Sequence, residues 1–196
     1  MTAYNASTAL IVVDVQNDFA DPSGSLSVSG GEQVVERANA EVERAIAGGA
    51  VVVYTQDWHP ESTPHFAKDG GIWPVHCVAE TWGAALHPDL HVAGEVVRKG
   101  SNGEDGYSGF TMRDPVSGEE TSTRLEGLLR DRGITRVAVC GLATDYCVQA
   151  TALDALRLGF ETTVLTDAIA AVNLQPDDGA RALAAMKEAG ASLADR

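Results

Sequence analysis

Cysteine is scarce in this chain. Cys77, Cys140 and Cys147 are the only three among 196 residues, an odd number with no C-x-x-C pair. That argues against a disulfide framework and for a reducing compartment. Positive charge is also in short supply: 14 Lys and Arg face 28 Asp and Glu, a net charge of −14. A nucleic-acid surface needs clustered Lys and Arg, so a nucleic-acid partner is excluded, whereas a small substrate in a local pocket is not. No apolar run reaches membrane-spanning length. The polar start, Met1 to Thr8, lacks the charged and apolar regions of a signal peptide, so the Asn5-Ala6-Ser7 sequon carries no weight. A P-loop, a G-x-G-x-x-G after a strand and a G-x-S-x-G elbow are all missing, which disfavours nucleotide-phosphate binding and serine-hydrolase chemistry. The expectation is a soluble, cytoplasmic protein without a membrane partner; homo-oligomerisation stays open.

What is present is ordinary for a globular enzyme: 44% hydrophobic and 21% charged residues, in a length that supports one full core. Without repeats or linkers, residues 1–196 read as a single domain. Ala9 to Val15 is a continuous apolar run, broken only by Asp14, and has the character of a strand buried on both faces. A helix follows over Gly31 to Ala47, stopped by Gly48-Gly49, and then a second buried strand, Ala50 to Thr55. Further strands are expected at His91–Lys99, Val137–Cys140, Glu161–Thr166 and Ala191–Ala194. The helices between them are expected at Ser122–Arg132, Thr144–Leu158 and Asp177–Ala189. The long segments 56–90 and 100–120 are loops rich in Gly, Pro, His and Trp, longer than compact domains usually tolerate without a functional reason. Strands alternating with helices predict an α/β fold, Rossmann-like, with a mostly parallel sheet of about six strands in the order 3-2-1-4-5-6. In that order the first and fourth strands meet at the switch point, where open sheets bind ligands.

Three residues fall at or just beyond the C-terminal ends of these strands. Asp14 interrupts the first, Lys99 closes the third, and Cys147 stands near the start of the helix after the fourth. Each alone has an ordinary explanation: a structural acid bound by backbone N–H groups, a strand-end cation, a packing thiol. Together they supply a nucleophile, a proton acceptor and a charge partner. A helix N-terminus would favour thiolate over thiol at Cys147 and offer N–H groups to an oxyanion. A second set, Asp57, His59, His65 and His76, gathers one carboxylate and three imidazoles in one loop, donors that suit a divalent transition ion, with loop histidines holding no metal as the plainer alternative. His87 and His91 fall outside that spacing and read as surface. Phe19, Trp73 and Tyr107, with Phe110 as a fourth candidate, would pack their loops on the core or form a slot for a flat ring.

The motifs carrying these residues are Leu10-Ile-Val-Val-Asp14-Val-Gln-Asn-Asp-Phe19, Asp57-Trp-His59-Pro, Trp73-Pro-Val-His76-Cys, Lys99-Gly, Tyr107-Ser-Gly-Phe and Gly141-Leu-Ala-Thr-Asp-Tyr-Cys147-Val. Over nearly the whole chain the pattern resembles the isochorismatase-like cysteine hydrolases, on their nicotinamidase/pyrazinamidase branch. The resemblance implies a triad of Cys147, Asp14 and Lys99 that converts nicotinamide, or pyrazinamide-like ring amides, to the acid and ammonia through a thioester, an activity of NAD salvage. It also implies an oxyanion hole from the backbone N–H groups of Ala143 and Cys147 beside a cis Leu142–Ala143 peptide. One divalent ion, zinc first and iron or manganese otherwise, would be held by Asp57, His59, His65 and His76. Phe19, Trp73 and Tyr107 would sandwich the ring. Isochorismatases proper lack the nucleophilic Cys, so Cys147 argues against vinyl-ether hydrolysis. The competing expectations are a related cysteine hydrolase of another small amide or N-carbamoyl compound, and a non-catalytic ligand-binding protein.

Overall fold

The structure is a computed structural model that describes residues 4–195; Met1 to Ala3, the start of the stretch read above as no signal peptide, and Arg196 lie outside them. In chain order the elements are β1 (Thr8–Val13), α1 (Asn17–Ala20), α2 (Gly31–Ala47), β2 (Val51–Asp57), β3 (Glu95–Lys99), β4 (Thr111–Arg113), β5 (Glu120–Ser122), α3 (Leu125–Asp131), β6 (Arg136–Leu142), α4 (Gln149–Arg157), β7 (Glu161–Ala170), α5 (Asp178–Glu188) and β8 (Ser192–Ala194). A wide, π-type turn over Thr144–Val148 leads into α4.

Six strands form one sheet in the order β3-β2-β1-β6-β7-β8, every pair parallel. Counting only strands of this sheet, that is the expected 3-2-1-4-5-6, with β1 beside β6 at the switch point. β1 is buried along its whole length because both of its faces are covered. Leu10 and Val12 pack with Val34, Val35, Ala38, Val42 and Ala45 of α2. Ala9, Ile11 and Val13 pack on the other side with Leu125 and Leu129 of α3 and with Val148, Ala152 and Ala155 at α4. The period of two in the strand and the 3–4 residue spacing in α2 thus build two core layers. Each large side chain so buried contributes about 1.5–3 kcal/mol.

Several boundaries differ from expectation. β3 begins at Glu95, not His91, because the chain before it wraps over the Tyr54 hydroxyl, which donates to the His91 carbonyl at 2.7 Å and accepts the Ala93 N–H at 3.1 Å. The helix expected from Ser122 begins at Leu125, since Glu120–Ser122 pairs antiparallel with Thr111–Arg113 in a small separate hairpin. β2 runs two residues past Thr55, and β7 continues past Thr166 to Ala170 after a register shift opposite Cys140.

Register positions the site. Asp57 is the partner of Lys99 between β2 and β3, and Val13 is the partner of Gly141 between β1 and β6. Asp14 therefore emerges one residue beyond Val13, at the same sheet edge. Gly141 (φ +113°) lies so close to β1 that a Cβ there would run into the Val13 backbone, including its carbonyl oxygen and its nitrogen. Gly141→Ala is expected to lower the unfolding free energy by about 2–3 kcal/mol. Chemical denaturation checks this, and unchanged stability would contradict the close approach of β1 and β6.

Candidate active site

Lys99 is fully buried at the end of β3, and its ammonium is the hub of the site. Nζ lies 2.9 Å from Asp14 Oδ2 and 2.5 Å from Asp57 Oδ1; it donates to the Gly106 carbonyl at 2.8 Å and approaches Cys147 Sγ at 3.6 Å. Burial alone would lower the lysine pKa, but Asp14, Asp57 and Cys147 reverse that and raise it well above the ordinary value. Asp14 sits at φ +48°. Its Oδ1 accepts from the Thr55 hydroxyl at 2.6 Å, and its N–H donates to Thr55 Oγ1 at 3.2 Å.

The two carboxylates diverge. Burial raises the pKa of Asp14, and the pull of Lys99 and the Thr55 hydroxyl does not offset it. Burial acts in the same sense on Asp57, but Lys99 and His59 hold that carboxyl well below the usual range. Asp57 is further fixed through its backbone by Gln16, whose Oε1 accepts the Asp57 N–H and whose Nε2 donates to the Asp57 carbonyl, both at 2.8 Å. Gln16 is a fully buried polar residue that the sequence reading passed over; its place in the run after Asp14 was the available signal.

Cys147 occupies the fourth position of the wide turn after β6, not the first turn of a regular helix. Burial pushes its thiol pKa well above the ordinary value, with Lys99 opposing and Asp14 and Asp57 reinforcing the rise. A helix start was expected to favour the thiolate at Cys147; burial acts in the opposite sense, so the thiol keeps its proton until a base takes it. Asp14, Asp57 and Cys147 each bring one polar atom within 4.8 Å of the others, so the thiol has proton acceptors at hand. The peptide Leu142–Ala143 is cis, at the position implied by the resemblance.

His59, His65 and His76 converge on the far side of Asp57, one ring nitrogen of each lying within 4.8 Å of the others, all buried. His59 has two buried ring nitrogens without a hydrogen-bond partner, an expensive arrangement unless something binds there. His76 Nδ1 is 2.7 Å from the Pro74 carbonyl, which fixes the proton on Nδ1 and leaves Nε2 with a free lone pair. Burial lowers the His76 pKa to about 4, so the ring stays neutral as a metal ligand must. Asp57 Oδ2 stands 3.8 Å from His59 Nε2 while its other oxygen faces Lys99. Three imidazoles and a neighbouring carboxylate fit a borderline divalent ion such as zinc. Asp105, one of the acidic residues of the 100–120 loop, lies 2.9 Å from His65 Nδ1, and that ring is the first cause of its lowered pKa.

Between the histidines and the thiol lies a small apolar pocket, about 380 Å3 when the space open to solvent is included. Phe19, Trp73, Tyr107, His65, His76, Ala143 and Cys147 all line it. Trp73 Nε1 donates to the Tyr107 hydroxyl at 2.9 Å. Tyr146, another omission, sets its ring edge-on to Trp73 at 4.8 Å. Phe110 is not part of the slot: it is core, stacked on Phe160 at 6.0 Å. His87 and His91 lie outside the pocket lining, as expected.

Known proteins resemble this chain over most of its length. Residues 8–196 match the isochorismatase domain family. The chain is 41% identical to a nicotinamidase of Escherichia coli (strain K12), covering 94% of this chain and 93% of the relative. Among solved structures, it is similar to a pyrazinamidase of Pyrococcus horikoshii in complex with zinc, with a TM-score of 0.86 and 41% identity over 97% of this chain and 99% of that one. It is also similar to PnC1 from L. infantum in complex with nicotinate, with a TM-score of 0.88 and 39% identity over 99% and 96% of the two chains.

Removing the hub is expected to be costly. Lys99→Met would leave two buried carboxyl groups without their cation and lower stability by about 3–5 kcal/mol at neutral pH. The deficit should shrink in acid, where the carboxyls protonate. Denaturant titrations at two pH values test this, and a variant as stable as the wild type at neutral pH would contradict the ion-pair assignment.

Proposed function

The chain belongs to the isochorismatase family, and from that membership and the geometry of its buried site we propose that it is a cysteine amidohydrolase converting nicotinamide to nicotinate and ammonia. The observation that carries this reading is the single pocket bordered by Cys147 at one end and by His65 and His76 at the other. One small ring amide touches both ends at once.

Asp14 takes the thiol proton as Cys147 Sγ attacks the amide carbon. A buried, neutral thiol needs such a base at the moment of attack, and a carboxylate of raised pKa is better matched to the task than an ordinary one. Lys99 keeps Asp14 oriented and stabilises the negative charge as it passes from carboxylate to sulfur. The backbone N–H groups of Ala143 and Cys147 receive the developing oxyanion. Asp14 then passes the proton to the departing ammonia, leaving a thioester, and next activates the water that releases nicotinate. Phe19, Trp73 and Tyr107 bind the ring faces and exclude water. Asp57, His59, His65 and His76 would hold one divalent ion, zinc before iron or manganese, whose contribution when bound is to ligate the ring nitrogen and orient the amide. A ring nitrogen gives such an ion something to bind, and that favours the ring amide. The cytoplasm, where thiols stay reduced, suits a chain whose three cysteines are all free and buried. Among the described residues no helix is long and apolar enough to cross a membrane.

Cys147→Ala is expected to lower ammonia release from nicotinamide by roughly 10³-fold or more; robust turnover by the variant would overturn the nucleophile assignment. The pH profile is a second test. Asp14 works in its ionised form, so kcat/KM should rise with pH as Asp14 loses its proton. Because burial raises that pKa, the acid limb should lie above the ordinary carboxylate range. A limb at or below that range, in enzyme kept saturated with metal, would contradict the assignment of Asp14 as base.

A further inference from the structure

The loop between Lys99 and β4 contains three consecutive residues that reach three different parts of the site. The Gly106 carbonyl accepts from Lys99 Nζ at 2.8 Å, and the Tyr107 hydroxyl accepts from Trp73 Nε1 at 2.9 Å. Asp105 reaches the histidine group, its Oδ1 2.9 Å from His65 Nδ1. The side chain as a whole is 38% exposed, yet the oxygen that faces His65 is shielded from solvent and makes no aligned hydrogen bond among the described residues, so the 2.9 Å approach to the ring is an ion-pair contact. Its backbone is pinned as well. The Asp105 N–H donates to the Arg113 carbonyl and its carbonyl accepts the Arg113 N–H, both at 2.7 Å, so the carboxyl is delivered from the hairpin edge and not from a free loop.

A histidine that ligates a metal through one nitrogen is held by an acceptor on the other, which fixes both tautomer and ring angle. His76 has the Pro74 carbonyl in that role. We propose that Asp105 is the corresponding positioning residue for His65: its carboxylate keeps the proton on Nδ1, presents Nε2 to the ion, and so raises metal affinity without being a ligand itself. Asp105 stands outside the trio whose ligand atoms converge within 4.8 Å. Through Gly106 and Tyr107 the same short stretch ties that histidine to the ammonium hub and to the ring slot. The inference rests on the metal-site reading given above.

The test uses the full chain, stripped with a chelator and titrated with Zn2+ in competition with a chromogenic chelator, with no substrate present. Asp105→Ala is expected to bind Zn2+ roughly 10–100-fold more weakly than wild type, and Asp105→Asn, which keeps an acceptor but not the charge, to fall between. Glu104→Gln, which removes the neighbouring charge, should bind as wild type does. Nitrogen-15 spectra of the histidine rings in the metal-free protein add a readout that a merely structural role would not move. His65 should be the Nδ1–H tautomer in wild type and a mixture in Asp105→Ala, with His76 unchanged. Wild-type affinity in Asp105→Ala, or an equal loss in Glu104→Gln, would overturn the role of Asp105 and leave the metal site standing. A wild type that takes up no Zn2+ would overturn both.

Discussion

A protonated lysine with no access to water is the constraint on which this structure depends. Moving an ammonium from water into a protein interior costs several kcal/mol, and only close, well-directed partners offset it. Lys99 has two carboxyl groups and a carbonyl within hydrogen-bond reach. Those partners come from different parts of the chain, and the parallel register is what brings them together: Asp57 lies across from Lys99, while Asp14 follows the last residue of the strand between β2 and β6. The two core layers on either face of the sheet keep that edge dry, so the helices matter to the chemistry even where they touch no part of the site.

The same hub separates the roles of two chemically identical side chains. Asp14 and Asp57 both face Lys99, but Asp57 also faces the histidines and is held in the ionised form, so burial is left to express itself on Asp14. Like charges that share one cation titrate as a set. The member with the raised pKa is the one suited to carry a proton, and it is also the one beside the thiol. The other stays charged, between the ammonium and the imidazoles, and links the reacting end of the pocket to the end that would hold a metal ion.

Much of this was legible in the chain because it is written in buried strands. Continuous apolar runs announce β1 and β6, and an acid, a cation and a thiol at strand ends are conspicuous against them. What escaped depends on side chains competing for backbone. Nothing in the composition of His91–Gly94 shows that the Tyr54 hydroxyl takes its carbonyl and N–H groups, and three-residue strands such as those of the 111–122 hairpin have too little pattern to detect. Tyr146 sits beside Cys147, which draws the eye first, and the acidic 100–120 loop shows its charge in the sequence but not that Asp105 faces His65. The pull toward thiolate expected at Cys147 is opposed by burial, which escaped for a different reason: sequence places a residue near a helix end but does not say how dry that end is.

The central claim is that Cys147 is the nucleophile and that Asp14 and Lys99 serve it. The aldehyde analogue of nicotinamide has no leaving group, so attack on it stops at a tetrahedral adduct. With the carbonyl labelled with carbon-13, the bound compound should show a tetrahedral thiohemiacetal carbon in the wild-type protein and an unreacted or hydrated aldehyde in Cys147→Ala. A thiohemiacetal signal that survives in Cys147→Ala, or a wild-type complex in which the bound aldehyde stays trigonal, would contradict the account.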